Sequence, residues 1–323
     1  MPDGSAVGRR AGRSGGIGSI DLALLLLLGG LWGTAFLFIT VGLRSFSPIL
    51  FVAIRFDIVG LVLVVLAFVH RAGSLVPRGR RQWTAIVVAA AFNVAGYHAL
   101  LFWGQQFTTA GVAAIIVGLN PVLTTVFSRA LLADERVGAG GVVGLALGMT
   151  GIVLLATLKG GNLLDLQGVA ELAVVGAIAS WSLGSVLVRR TGHGMDVVAF
   201  IAWHSLAGAG LLHVASLLFE GGGRATFDAS GTVSMVYLSI VSSGLGFVIY
   251  FTLLSRIGPI RLNLVSQIAA AVAAVGGVLF LQEALEARAL GAFALVAAGF
   301  TLVTRPKLRA AKPPLDPSEA GPR

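Results

Sequence analysis

Leu22-Ala23-Leu24-Leu25-Leu26-Leu27-Leu28-Gly29-Gly30-Leu31-Trp32-Gly33-Thr34-Ala35-Phe36-Leu37-Phe38-Ile39-Thr40-Val41 is a run of twenty residues without one charged side chain. A helix crosses a hydrocarbon core with roughly 20 apolar residues. The run is continuous rather than alternating, so it reads as a helix and not as a barrel strand. Arg9, Arg10 and Arg13 stand before it, as in a signal peptide. The stretch is too long for one and lacks a clear cleavage site. It is therefore read as a first span behind an N-terminal tail, 1–19.

The rest of the chain has the same character. Of 323 residues, 56% are apolar and 11% charged, and the mean hydropathy is +0.92. Soluble domains carry about 25% charged residues, so a soluble enzyme or binding module is excluded. The apolar runs predict ten helices, at 20–41, 48–69, 83–104, 110–132, 139–157, 169–188, 197–219, 233–254, 262–282 and 287–304. The fold class is an all-α polytopic membrane protein. After residue 304 the chain turns polar and Pro-rich (Pro313, Pro314, Pro317), and 305–323 reads as a disordered tail.

The net charge of +9 does not indicate nucleic acid, because the basic residues sit at the ends of apolar runs. With the N-terminus placed in the cytoplasm, eighteen of the 23 Lys and Arg residues fall on that side. Four (Arg44, Lys159, Arg224, Arg288) fall on the other, and Arg55 lies within a span. This is the bias of an inner-membrane protein with both termini cytoplasmic. The chain has no cysteine, which removes thiol catalysis, disulfides and Cys metal sites.

The halves match at a shift of 149 early on (Trp32 with Trp181, Arg55 with His204) and 148 from the third span onward. Glu135 then meets Glu283, Gly151 meets Gly299, and Phe102-Trp103 meets Tyr250-Phe251. Five spans is an odd number, so the second half (169–304) enters the membrane inverted relative to the first (20–157). Two inverted halves have two related conformations, the basis of alternating access at a midplane site.

With Leu31-Trp32-Gly33-Thr34, Ala53-Ile54-Arg55-Phe56, Asn120-Pro121 and Asp134-Glu135-Arg136 in this order, the sequence resembles the drug/metabolite transporter superfamily, in its ten-span form with two EamA domains. The second half repeats the pattern through Trp181, Gly258-Pro259 and Gln282-Glu283. Asn120-Pro121 becomes Ile268-Ala269 there. The resemblance implies an inner-membrane carrier, often an exporter of amino acids, other metabolites or toxic compounds.

Candidate site residues follow from polarity at depth. A charge at mid-bilayer costs about 2.5–3.5 kcal/mol on insertion scales, so Arg55 and Asp57 stand out. Two residues apart, they point about 200° away from each other. Arg55 suits anion binding, or it snorkels to the near surface, and Asp57 suits proton coupling. Asn93 and Tyr97 share a face, with His98 beside them. Asn120, Thr124 and Ser128 form a second stripe, and Ser239, Ser243, Gly246 and Tyr250 a third. Gln267 is an amide near the membrane centre. Trp32 and Trp181, away from the interfacial belts, read as walls of an apolar cavity. His204 is a titratable group, and Glu135 and Glu283 read as helix caps or gates. Gly140, Gly144 and Gly148 form a small-xxx-small packing stripe that also suits dimerisation.

The reading is a secondary transporter, monomeric or homodimeric, of a small-molecule substrate, coupled to protons or sodium. It has no nucleic-acid partner, no metal and no cofactor. The alternative is an intramembrane enzyme acting on lipid or peptide with Ser243 and His98. A channel would need rings of charge or carbonyls, which inverted five-span halves fit poorly.

Overall fold

The computed structural model describes residues 18–69, 75–132, 142–144, 146–148, 150–151, 165–192, 194–262, 264–284 and 287–309. Among them are α1 (Ser19–Gly42), α2 (Pro48–Val69), α3 (Gly79–Gln105), α4 (Ala110–Leu131), α5 (Leu166–Thr191), α6 (Val197–Glu220), α7 (229–262), α8 (Leu264–Leu281) and α9 (Ala287–Arg309). Eight helices among the described residues are long and apolar enough to cross a membrane. In α9 the apolar part is the shorter Ala289–Gly299. The described residues contain no β-strand, only an isolated bridge between Phe46 and Ala225. The predicted fifth span, 139–157, lies mostly outside the described residues, as do Glu135, 1–17 and 310–323.

Apolar side chains cover the outside as well as the core. Leu61, Val65 and Phe68 on α2, Leu217 and Phe219 on α6, and Phe280 on α8 are all exposed. That is the surface of a protein solvated by lipid chains, since in water such patches would associate.

The helices pair in a reciprocal way. The pair α2 and α6 packs along its length, α1 packs on α8, and α5 packs on α4. Similarly, α3 packs on α5 and α6, while α7 packs on α1 and α2. Exchanging each helix with its repeat equivalent maps this set of pairings onto itself.

The two equivalent crossings use different chemistry. Where α1 meets α8, a Cβ at Gly33 would lie 2.6 Å from the Val272 Cβ, and one at Gly29 2.4 Å from Ile268. Only glycine permits this approach. Where α5 meets α4, Ser182 Oγ donates to Asn120 Oδ1 at 2.9 Å, and the Ser182 and Thr124 hydroxyls are 3.1 Å apart. Asn120 and Thr124 stand at the positions of Ile268 and Val272, and Ser182 at that of Gly33.

The third helix of each half widens to a π-helix, at Ala89–Gly96 in α3 and Tyr237–Leu245 in α7. The segments start 148 residues apart (237 − 89), the same shift that relates the halves. Each presents a carbonyl to a side chain of the first helix in the opposite half. Trp32 Nε1 donates to the Ser242 carbonyl at 3.2 Å, and Ser180 Oγ to the Phe92 carbonyl at 2.8 Å. α-Helical periodicity in the sequence does not reveal these turns.

α4 is broken after Val117. Pro121 brings no N–H, and Val122 N donates to the Leu119 carbonyl at 2.9 Å. The Gly118 carbonyl accepts from Gln267 Nε2 of α8 at 3.4 Å. The Gly144 and Gly148 stripe is used within the chain. A Cβ at Gly299 of α9 would lie 2.4 Å from the Gly144 carbonyl oxygen and 3.1 Å from the Gly148 nitrogen.

The two crossings should respond differently to truncation and growth. Gly33→Ala overpacks a site with backbone on one wall and is expected to cost about 1–3 kcal/mol. Ser182→Ala loses hydrogen bonds that average about 0.6 kcal/mol in membranes. Thermal unfolding in detergent should therefore place Gly33→Ala below Ser182→Ala. The opposite order would mean that the α1–α8 crossing is looser than described.

Candidate functional site

A cavity of about 870 Å³ lies between the halves, within the range of about 300–1,000 Å³ of small-molecule sites. Trp32, Arg55, Asn93, Tyr97, His98, Asn120, Trp181, His204, Ser243 and Tyr250 all line it. The structure thus brings these predicted residues together, from α1 to α7.

Two aromatic pairs face the space. Trp32 of α1 stacks on Tyr250 of α7 with ring centroids 5.6 Å apart, and Tyr97 of α3 tilts against Trp181 of α5 at 5.1 Å. Each pair joins a first helix to the third helix of the opposite half. Asn93 reinforces the second junction, donating to the Trp181 carbonyl at 3.0 Å and to Ser185 Oγ at 2.9 Å. Gly184 makes this possible, because a Cβ there would lie 2.5 Å from Asn93 Oδ1.

Arg55 does not snorkel. It is 8% exposed, and its Nη2 donates to Ser243 Oγ at 3.0 Å. Ser243 Oγ in turn donates to the Leu238 carbonyl, five residues back in the π turn, at 2.9 Å. The guanidinium carbon lies 5.5 Å from the Phe56 ring centre and 5.9 Å from that of Phe102. Its Nε has no hydrogen-bond partner among the described residues. The serine holds the arginine by a neutral bond, and among the described residues no carboxylate is bonded to it.

Other expectations fall elsewhere. Asp57 lies off the cavity wall, and its Oδ2 is 2.7 Å from His213 Nε2 of α6, both side chains about two-fifths exposed. Gln267 is likewise off the wall, occupied with the α4 break. Glu283 Oε1 accepts from Ala110 N at 2.9 Å, which caps the start of α4. The α7 stripe is corrected by the π turn. Ser239 is buried off the wall, whereas Ser242, Ser243, Phe247 and Tyr250 are on it. Ser185 and Arg189 were missed, although Ser185 follows Trp181 by four residues, one helical turn along the same face. Ser243 and His98 do not form a nucleophile pair. The Ser243 hydroxyl is spent on Leu238, and His98 Nδ1 lies 3.1 Å from the Val94 carbonyl.

The cavity has one blind end. There its wall stops at buried Ile39 and Leu101, and the α1–α2 and α6–α7 loops clasp. Gly221, Gly222 and Gly223 turn the chain with φ of 60°, 92° and 72°, a region open to glycine. Arg224 then exchanges bonds with Ser47, its N donating to Ser47 Oγ and its carbonyl accepting from Ser47 N, both at 2.8 Å. Glu220 accepts from Ile49 N and Leu50 N at 2.8 and 3.0 Å, neutralising the start of α2. Asp228 accepts from Gly231 N and from Ser45 Oγ. These bonds, the Gly231 amide first, hold its carboxyl below the usual value. At the opposite end the wall reaches the surface at exposed Arg189 and Val197.

The model of the EamA-like transporter family matches residues 20–157 and again 168–305. The uncharacterized transporter YvbV of Bacillus subtilis is 28% identical over 284 residues, covering 87% of this chain and 90% of its own. A probable terminal-alkyne amino-acid exporter of Streptantibioticus cattleyicolor is 27% identical, over 85% of this chain and 90% of its own. The uncharacterized inner membrane transporter YedA of Escherichia coli is 29% identical, over 71% and 72%. A solved crystal structure superposes with a TM-score of 0.64 at 24% identity, covering 91% of this chain and 99% of that one, and shares the fold.

A chain without cysteine makes the cavity directly testable. A Ser185→Cys thiol should react with a water-soluble methanethiosulfonate about ten-fold faster than one at buried Ala53; equal rates would mean that the wall is dry. The clasp has its own signature. A depressed carboxyl contributes stability in full above its ordinary range and loses it as pH falls through the depressed value. Asp228→Asn should therefore lower the melting temperature at neutral pH, and the difference should vanish in strong acid. A pH-independent difference would assign the effect to something other than ionisation.

Proposed function

The chain belongs to the EamA-like transporter family, and from that premise we propose that it is a secondary-active exporter of small metabolites, such as amino acids or drug-like compounds, working by alternating access. Its architecture in this reading is ten spans in two inverted five-helix repeats, with both termini cytoplasmic. The observation that carries the reading is the reciprocity of the halves around one cavity. Helix pairings exchange under the repeat, and the π turns recur at the repeat shift. An inverted pair has a second conformation in which the halves trade roles, with access moved to the other side.

The charge bias places Arg44 and Arg224, and hence the clasped loops, on the outer side. The cavity mouth at Arg189 then faces the cytoplasm, the side from which an exporter loads. Coupling is to protons. Asp57 and His213 tie α2 to α6, a pairing that is its own repeat equivalent, and a hydrogen-bonded carboxylate and imidazole can hold or release a proton. His204 on the cavity wall is a second titratable group in this scheme.

Reconstituted protein tests this. An imposed pH gradient should drive accumulation of labelled amino acids or drug-like solutes in proteoliposomes. Asp57→Asn should lose gradient-driven accumulation by about ten-fold while keeping solute exchange, because only the coupled step needs the proton. No transport of any solute in a broad panel would remove the carrier reading. Full gradient-driven transport by Asp57→Asn would remove the coupling assignment.

A further inference from the structure

Resting on the carrier reading of this cavity, we infer that it selects solutes bearing a carboxylate on a flat apolar body, with Arg55 as the receptor for the carboxylate. The first support is the sign of the wall. Among the described lining residues the charged ones are Arg55 and Arg189, the titratable ones include His98, His204, Tyr97 and Tyr250, and none is Asp or Glu. A cationic solute would find no carboxylate among the described lining residues to pair with. An anion would meet Arg55 in the buried part.

The second support is the state of Arg55 itself. Among the described residues it has no carboxylate partner, only the neutral Ser243 hydroxyl and two phenyl rings near the outer limit for a cation–π contact. A charge held so far from water is expensive unless paired. Its buried Nε has no partner among the described residues, so donor capacity remains for a planar two-oxygen acceptor, which a guanidinium fork fits better than any other side chain. The protein thus carries a desolvated cation whose missing counter-ion is the solute.

The third support is the shape of the remainder. The Trp32–Tyr250 and Tyr97–Trp181 pairs give the apolar body two ring surfaces to lie on. A glutamate in the same wall would select amines; none stands among its described residues.

The test varies one head group on one body. Purified protein is titrated with 3-phenylpropionate, L-phenylalanine, L-phenylalanine methyl ester and phenethylamine, with binding read by calorimetry and by tryptophan emission. The two carboxylates should bind at least about ten-fold more tightly than the ester and the amine, the scale at which a hydrogen-bonding site rejects an analogue lacking its group. Arg55→Met should erase that ranking and Arg55→Lys should keep part of it, with elution profile and melting temperature confirming that both fold. The ranking on unaltered protein stands even where a variant fails. Equal or tighter binding of the amine or ester, no binding of either carboxylate, or an unchanged ranking in folded Arg55→Met would overturn the inference. Proteoliposome flux separates the two readings. Carboxylates that bind but never cross leave the anion site and remove the carrier. Amine transport indifferent to Arg55 leaves the carrier and removes the anion site.

Discussion

Lipid offers no hydrogen bonds, so every backbone group that leaves the regular helix must find a partner inside the protein. The rest of this structure depends on that constraint. Where α4 breaks, Gln267 serves the Gly118 carbonyl. Where α3 and α7 widen, Ser180 and Trp32 reach across from the opposite half. Where helices begin, Glu283 serves Ala110, and Glu220 serves Ile49 and Leu50. Each of these is a joint between the two halves, because the partner group comes from the other one. The cavity lies among these joints, and one of them, Trp32, is also part of its aromatic wall.

The long apolar runs made the class of fold plain, and the polar residues at depth pointed to helices that line the cavity. Trp32, Trp181, Asn93, Tyr97 and Arg55 were legible because each is costly or unusual in hydrocarbon. What stayed hidden was geometry. A π turn adds a residue to the turn without changing composition, so the α7 stripe was phased as if Ser239 faced the same way as Ser243. Ser185 lay one turn from Trp181, yet serine is common in membrane helices and drew no notice. Asp57 was read alone because its partner, His213, lies 156 residues away. Whether Arg55 snorkels depends on the Ser243 hydroxyl, and no spacing rule connects them.

The halves are alike in plan and different in chemistry. Glycine contact at the α1–α8 crossing is matched by hydrogen bonds at the α5–α4 crossing. Arg55 is matched by His204. These substitutions fall where the repeats touch the cavity or each other, while the pairing scheme is kept. At Arg55 and His204 one half contributes a fixed charge and the other an imidazole ring.

This inequality of the crossings bears on energy levels. A transporter made of two identical inverted units would have two degenerate states, each equally populated with no solute and no gradient. The Ser182–Asn120–Thr124 cluster has no polar equivalent at Gly33, Ile268 and Val272, so under the proposed mechanism exchanging the roles of the halves would exchange unlike crossings. The degeneracy is lifted by the difference between a hydrogen-bonded seam and a close-packed one. Under the proposed alternating access, the empty protein would therefore have a preferred side, written into six residues at two crossings rather than imposed by its load.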